Sequence, residues 1–189
     1  MKIIFLDRDG VINKDPAGWT EHSYVTRLED FIFLPGSREA IKRLTEAGYE
    51  IVIISNQAGI NRGFFTKDDL KKINDNMLKN IESSGGKIRS AHYCPHTKEE
   101  RCACRKPNTG LFKEATKNLD IDFNGAFFIG DGSMDIEAGE SLGCKTILVL
   151  SGKSGLLDVK EWKTKPDFIK KDLAEAVEWM LNKSAKRKA

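Results

Sequence analysis

Asp7 and Asp9 stand two residues apart at the end of the apolar run Ile3-Ile4-Phe5-Leu6, and Gly10 follows them. In an open parallel α/β sheet, ligands bind beyond the carboxyl ends of the strands. Two carboxylates this close repel, so a cation is their natural complement. Mg²⁺ in particular prefers one or two carboxylates together with substrate phosphate oxygens. Taken alone, the pair could equally cap a turn, because Asp and Gly are common turn residues. Two later segments have the same form, and a basic segment lies between them. Ile51-Val52-Ile53-Ile54 runs into Ser55-Asn56-Gln57, Arg105-Lys106-Pro107 follows, and Phe127-Phe128-Ile129-Gly130 runs into Asp131, with Asp135 four residues on. Ser55 offers a hydroxyl, Lys106 a fixed positive charge, and Asp131 a carboxylate at the same kind of position as Asp7. Cys94, His96, Cys102 and Cys104 form a fourth cluster. Cys₃His is a recognised structural zinc set. The spacing is tighter than in zinc fingers, so buried or redox-active thiols remain the alternative reading.

These residues need strands to carry them, and the chain alternates apolar runs with helical periodicity. Strands are expected at 2–6, 50–54, 88–93, 126–130 and 145–150. Helices are expected at 37–47, from the Thr66/Asp69 capping pair to Gly85-Gly86, at 109–119, at 134–142, and after Asp172/Glu175. The pattern predicts an α/β fold, a Rossmann-like parallel sheet with helices on both faces. Residues 10–35 read as a polar loop, while 151–166 carries no clear signal. Cys144, before an apolar strand, is expected to be a buried thiol, and His22 and His92 to be packing or surface residues.

At 189 residues, with 40% hydrophobic and 31% charged content, the chain fits one soluble globular domain spanning 1–189. Its net charge of +3 comes from the end, since Lys183, Lys186, Arg187 and Lys188 fall in the last seven residues. Taking those four from the 31 basic residues leaves 27 against 28 acidic ones. A near-neutral body does not suit a nucleic-acid partner. Residues 184–189 are expected to be a disordered basic tail. No apolar run is long enough to span a membrane, and residues 3–6 are too short for a signal peptide, so a cytoplasmic location is expected. No exposed apolar stripe stands out, so a monomer is expected.

Asp-Arg-Asp-Gly at 7–10, Ser55, Lys106 and Asp131 with Asp135 occur in the order found in the haloacid dehalogenase superfamily, and the chain resembles it. That resemblance implies an essentially capless phosphatase, since no long insertion separates the motifs. It implies Asp7 as nucleophile, Asp9 as acid and base, and Ser55 and Lys106 as phosphoryl-binding groups. It implies Mg²⁺ on Asp7, the Asp9 carbonyl and Asp131, with Asp135 behind them. The loop Cys94-Pro95-His96 to Cys102-Ala103-Cys104-Arg105-Lys106-Pro107 also resembles that of the D-glycero-D-manno-heptose-1,7-bisphosphate and histidinol-phosphate phosphatases. This implies Zn²⁺ on Cys94, His96, Cys102 and Cys104. Asn56-Gln57-Ala58-Gly59-Ile60-Asn61-Arg62-Gly63 resembles the heptose enzymes, whereas the five-residue spacer between His96 and Cys102 is the histidinol form. The expected substrate is therefore the heptose bisphosphate, with histidinol phosphate or another small phosphomonoester as the alternative. Asn13, Asp15, Tyr24, Asn56, Arg62 and Arg105 are the candidate substrate contacts. A catalytically silent binding module would be expected to have lost some of these acids, and none is lost.

Overall fold

The computed structural model describes residues 1–186, with side chains as far as Lys183. Six parallel strands form one sheet in the order β3-β2-β1-β4-β5-β6. They are β1 (Lys2–Leu6), β2 (Tyr49–Asn56), β3 (Ser90–Cys94), β4 (Phe127–Gly130), β5 (Lys145–Val149) and β6 (Phe168–Lys170). The helices are α1 (Ser37–Glu46), α2 (Lys67–Ser83), α3 (Gly110–Thr116), α4 (Ser133–Leu142), α5 (Leu156–Glu161) and α6 (Leu173–Lys186).

β1 shows why its sequence is apolar from Ile3 onward. Side chains alternate between the two faces of a strand, and here both faces are covered. Ile4 and Leu6 join Ile51, Ile53, Ile129 and Ile147 under α1, α2 and α6, where Ile41, Leu44, Ile73, Met77 and Val177 pack. Ile3 and Phe5 join Val52, Ile54 and Phe128 against Leu111 and Phe112 of α3 and Ala138 of α4. A strand buried on both sides has no polar position to spare until it leaves the sheet, and β1 leaves it at Asp7.

The strand order reverses direction between β1 and β4, which are neighbours in the sheet although β2 and β3 both lie between them in sequence. The ends of these two strands therefore flank the crevice, and they carry Asp7 and Asp131. The Asp7 amide continues the ladder by donating to the Ile129 carbonyl at 2.9 Å.

The elements expected from periodicity are present, with shifted ends. α3 stops at Thr116 rather than 119, and β3 occupies 90–94 rather than 88–93. The capping pair at Thr66 is formed, the Thr66 hydroxyl accepting from the Asp69 amide and the Asp69 carboxylate from the Thr66 amide. Two elements were not anticipated. α5 lies in the segment without a signal, and β6 is a three-residue edge strand, too short for alternation to be read. α6 extends through Lys186 into the expected tail, so residues 184–186 are helical backbone; 187–189 lie outside the described residues. No helix among the described residues is long and apolar enough to cross a membrane.

Candidate active site

Asp7, at the tip of β1, is buried, and its Oδ1 accepts the Arg8 amide at 2.7 Å. Lys106 Nζ lies 3.0 Å from the same oxygen and 2.7 Å from Asp135 Oδ1, and donates to the Ile54 carbonyl at 2.8 Å. With only 2% exposure, this ammonium is fixed by three oxygens from three elements. Burial alone would push the Asp7 carboxyl up, but Lys106 and Lys153 outweigh it and hold Asp7 below the ordinary carboxylate range. Conversely, burial works against the Lys106 charge, and Asp135 and Asp7 reverse that, raising its pKa.

The Asp9 carboxylate is held by a set of donors. Arg8 reaches Oδ1 through Nε at 3.1 Å and contacts both oxygens through Nη2 at 3.0 Å. Asn13 Nδ2 and Gln57 Nε2 each donate at 2.8 Å. Gly10 permits the turn that follows: its φ is 78°, and a Cβ there would press on Asp131 and on the Gly152 backbone. Gln57 Nε2 also donates to Ser55 Oγ at 3.2 Å. Asn56 bridges to the lysine loop, accepting the Lys106 amide at 3.0 Å and donating to the Lys106 carbonyl at 3.2 Å.

Asp131 Oδ2 accepts the Lys153 amide at 2.9 Å, and Oδ1 faces the Lys153 ammonium at 3.1 Å. Burial, reinforced by Asp135 and Asp7 and opposed by Lys153, pushes the Asp131 carboxyl up to about 7. Asp135 Oδ2 caps the start of α4 by accepting the Asp131 and Gly132 amides at 3.2 and 3.1 Å. Oxygens of Asp7, Asp131 and Asp135 lie within 4.8 Å of one another, and buried Asp131 Oδ1 receives no well-directed hydrogen bond. Three hard carboxylate donors converging in this way suit an oxygen-seeking divalent cation.

A cleft of about 220 Å³ joins these groups, and Asp7, Asp9, Ser55, Asn56, Lys106, Asp131 and Asp135 line it with Asp15, Tyr24 and Arg105. Arg62 lies instead in an adjoining cavity of about 610 Å³, which shares Arg105 and Lys106 with the cleft. Asn13 requires a correction. Expected to meet the substrate, it is fully buried and spends its amide on Asp9 and on the Lys14 carbonyl at 3.0 Å, so it does not reach the cleft.

Four soft or borderline donors gather beside the cleft. The sulfurs of Cys94, Cys102 and Cys104 are 3.2–3.6 Å apart, and His96 Nδ1 lies 3.1 Å from Cys104 Sγ and 3.5 Å from Cys94 Sγ. A zinc–sulfur bond of ~2.3 Å in a tetrahedron separates ligands by roughly 3.7 Å, so the set fits Zn²⁺ after slight expansion. The donor chemistry and the near-equal separations both support that fit.

A family model described as HAD-hydrolase-like matches residues 103–176. D-glycero-beta-D-manno-heptose-1,7-bisphosphate 7-phosphatase of Bordetella bronchiseptica is 34% identical over 184 residues, covering 97% of this chain and all of the relative. The chain belongs to this haloacid dehalogenase-like phosphatase family. The family member of Pasteurella multocida is 39% identical over 80% of the chain and 83% of its own length. The crystal structure of D,D-heptose 1,7-bisphosphate phosphatase from B. bronchiseptica, complexed with magnesium and phosphate, superposes with a TM-score of 0.88 at 35% identity, covering 97% of this chain and 99% of that one. The Burkholderia thailandensis enzyme gives 0.71 at 31%, covering 96% and 99%.

Within this phosphatase, three residues of the cleft and its support escaped the sequence reading. Arg8, wholly buried, is held above its ordinary pKa by Asp9 despite burial, and its guanidinium lies 5.8 Å from the centre of the Tyr93 ring. Gln57 ties Asp9 to Ser55. Lys153 stands beyond β5, in the segment 151–166 that carries no clear sequence signal. The ring cluster behind Tyr24 was also unforeseen: Tyr24 packs by the Phe64 and Phe65 rings, and His22 stacks on Phe64 at 4.2 Å. Cys144 is buried as expected.

Proposed function

We propose that this enzyme removes the 7-phosphate of D-glycero-beta-D-manno-heptose 1,7-bisphosphate with Mg²⁺ and an aspartyl-phosphate on Asp7. The observation that carries the reading is the Lys106 ammonium held between Asp7 and Asp135 in a cleft that Asp131 and Asp9 also line. Kinship with the heptose phosphatases, one of them crystallised with magnesium and phosphate, supplies the substrate.

In this reading Asp7 and Asp131, with the Asp9 backbone carbonyl, would hold Mg²⁺. When bound, the ion offsets the repulsion between an anionic nucleophile and a phosphate dianion. Asp7 attacks phosphorus through a carboxylate oxygen, and the bond from phosphorus to the sugar oxygen breaks. Asp9 gives that oxygen a proton and afterwards takes one from the water that attacks the phosphoaspartate, releasing inorganic phosphate and restoring Asp7. Lys106, together with the Ser55 hydroxyl and the amide after it, steadies the transferring oxygens. Lys106 is well built for this, because its three protein contacts keep its position independent of substrate. Asp135 and Asn56 hold Lys106 in place, whereas Arg105, Asp15 and Tyr24 face the rest of the sugar. Arg105 is anchored by its Nη1 on the His96 carbonyl at 3.1 Å, and its fork suits the second phosphate. A zinc ion on the Cys₃His set would lock the loop that delivers Arg105 and Lys106. Four reduced thiols fit a cytoplasmic site of action, and we assign the protein there as a monomer acting on a small molecule rather than on nucleic acid.

The five-residue spacer in the zinc loop favours a second reading, histidinol phosphate as substrate. Phosphate release from both anomers of heptose 1,7-bisphosphate, from histidinol phosphate and from unrelated sugar phosphates separates the two readings, with Asp7→Asn as the control. The expected result is preference for the beta bisphosphate, dependent on Mg²⁺ and lost in Asp7→Asn. Preference for histidinol phosphate would replace the substrate, and unchanged turnover by Asp7→Asn would remove the nucleophile.

A further inference from the structure

Lys153 lines the cleft, yet the steps above give it no task. It follows β5 in Ser151-Gly152-Lys153, and it addresses both oxygens of Asp131, the amide on Oδ2 at 2.9 Å and the ammonium on Oδ1 at 3.1 Å. The surrounding backbone is shaped to this contact. A Cβ on Gly132 would come within 2.5 Å of Lys153 Cε, and one on Gly152 within 2.6 Å of Asp131 Cγ. The lysine stem thus lies across one glycine while Asp131 lies against the other. Lys106 and Lys153 both face the acid cluster, but they differ in freedom. Lys106 is enclosed, whereas the Lys153 side chain is 47% exposed.

We infer that Lys153 is a positioning residue that orients Asp131 through its amide and, through its ammonium, sets how tightly the Asp7–Asp131–Asp135 cluster holds a divalent cation. The inference rests on the metal reading proposed above. Oδ2 is engaged by a backbone donor that cannot leave without moving the loop, so Oδ1 is the oxygen free to ligate. A divalent ion on Oδ1 and an ammonium on the same atom would repel strongly in a buried setting. The ammonium therefore yields, and its exposure gives it a route toward solvent by rotation of the stem over Gly132. This arrangement weakens the metal site in a graded way while keeping the carboxylate aimed.

Charge removal should consequently tighten metal binding, the opposite of what loss of a merely structural side chain would do. The test is a Mn²⁺ titration, followed by electron paramagnetic resonance, of the full chain carrying its zinc. Wild type, Lys153→Met, Lys153→Arg and Asp131→Asn are compared. Lys153→Met should bind Mn²⁺ at least about fivefold more tightly than wild type, because a nearby positive charge is gone. Lys153→Arg should stay close to wild type, and Asp131→Asn should lose binding. If circular dichroism finds Lys153→Met unfolded, Lys153→Gln carries the same expectation. Equal or weaker binding by the neutral variants, with wild type binding normally, overturns the role of Lys153 alone. No Mn²⁺ binding by the wild type overturns the metal site and this inference with it.

Discussion

Replacing Lys106 with Met keeps the length of the side chain and removes one buried charge. The wild-type ammonium faces Asp7 at 3.0 Å and Asp135 at 2.7 Å with 2% exposure. Deleting one partner of a buried ion pair costs about 3–5 kcal/mol, because the remaining charge is left uncompensated. Here two carboxylates are left facing one another, so the upper half of that range applies near neutral pH. For a chain of this size each kcal/mol lowers Tm by roughly 2–4 °C, which makes the loss about 8–20 °C. The penalty also has a sign in pH. In the wild type the Asp7 pKa is depressed, so its contribution is present above the ordinary carboxylate range and is lost as pH falls through its folded pKa. Without Lys106, burial and the facing Asp135 raise the pKa instead, so the native variant takes up a proton more readily than its unfolded chain. The gap between variant and wild type should therefore narrow from pH 8 to pH 5. Urea unfolding in Mg²⁺-free buffer at both values measures it. A gap below about 1 kcal/mol at pH 8, or one that does not change with pH, would refute the view that Lys106 compensates these acids.

Phosphatase activity of the same variant should fall by at least about 100-fold, the usual loss when a charge-stabilising donor is removed from a transition state. Because burial lifts Asp131 to about 7, protons compete with metal for it below that pH. Mg²⁺ should therefore raise Tm by more at pH 8 than at pH 6, as read by differential scanning fluorimetry. Removing zinc with a chelator and then restoring Mg²⁺ should leave turnover abolished without unfolding the sheet, since the proposed ligand Cys104 lies two residues before Lys106. Metal analysis should count one zinc per active chain, and Cys104→Ser should behave like the stripped protein. Gly130→Ala should destabilise the protein by about 1–3 kcal/mol in chemical denaturation, as overpacking does. A Cβ there would meet the Asp135 carboxyl carbon at 2.5 Å.

Much of the fold was written in local patterns. Runs such as Ile51–Ile54, buried on both faces, can hardly be anything but inner strands, and the capping residues at Thr66 and Asp69 mark the start of α2 through the bonds they make. Parallel inner strands also have defined ends, so acids placed there announced a cleft. The pattern failed where an element is too short to repeat. β6 has three residues, and α5 follows a run of Gly, Ser and Lys whose order comes from tertiary contacts. Within the site, the cleft-lining positions of Asp7, Asp131 and Lys106 followed from strand ends and motif order. Burial was harder to see. Asn13 looked like a loop residue open to ligand, yet its amide is turned inward to Asp9. Arg8, a cation between two acids, gave no sign that it would be wholly enclosed beside Tyr93. Lys153 was obscured because it follows a strand that ends in no acid of its own.

The central place of β1 also sets a schedule for making the protein. Its two neighbours, β2 and β4, are supplied by the chain about 45 and about 120 residues later, so at 5–20 residues per second one edge of β1 waits roughly 6–25 s for its partner. During that interval the strand bearing Asp7 exposes unpaired backbone and the side chains Ile3, Ile4, Phe5 and Leu6, an adhesive template for other chains. The arrangement that puts both acids at one crevice thus leaves one edge of β1 without its partner until β4 has been made.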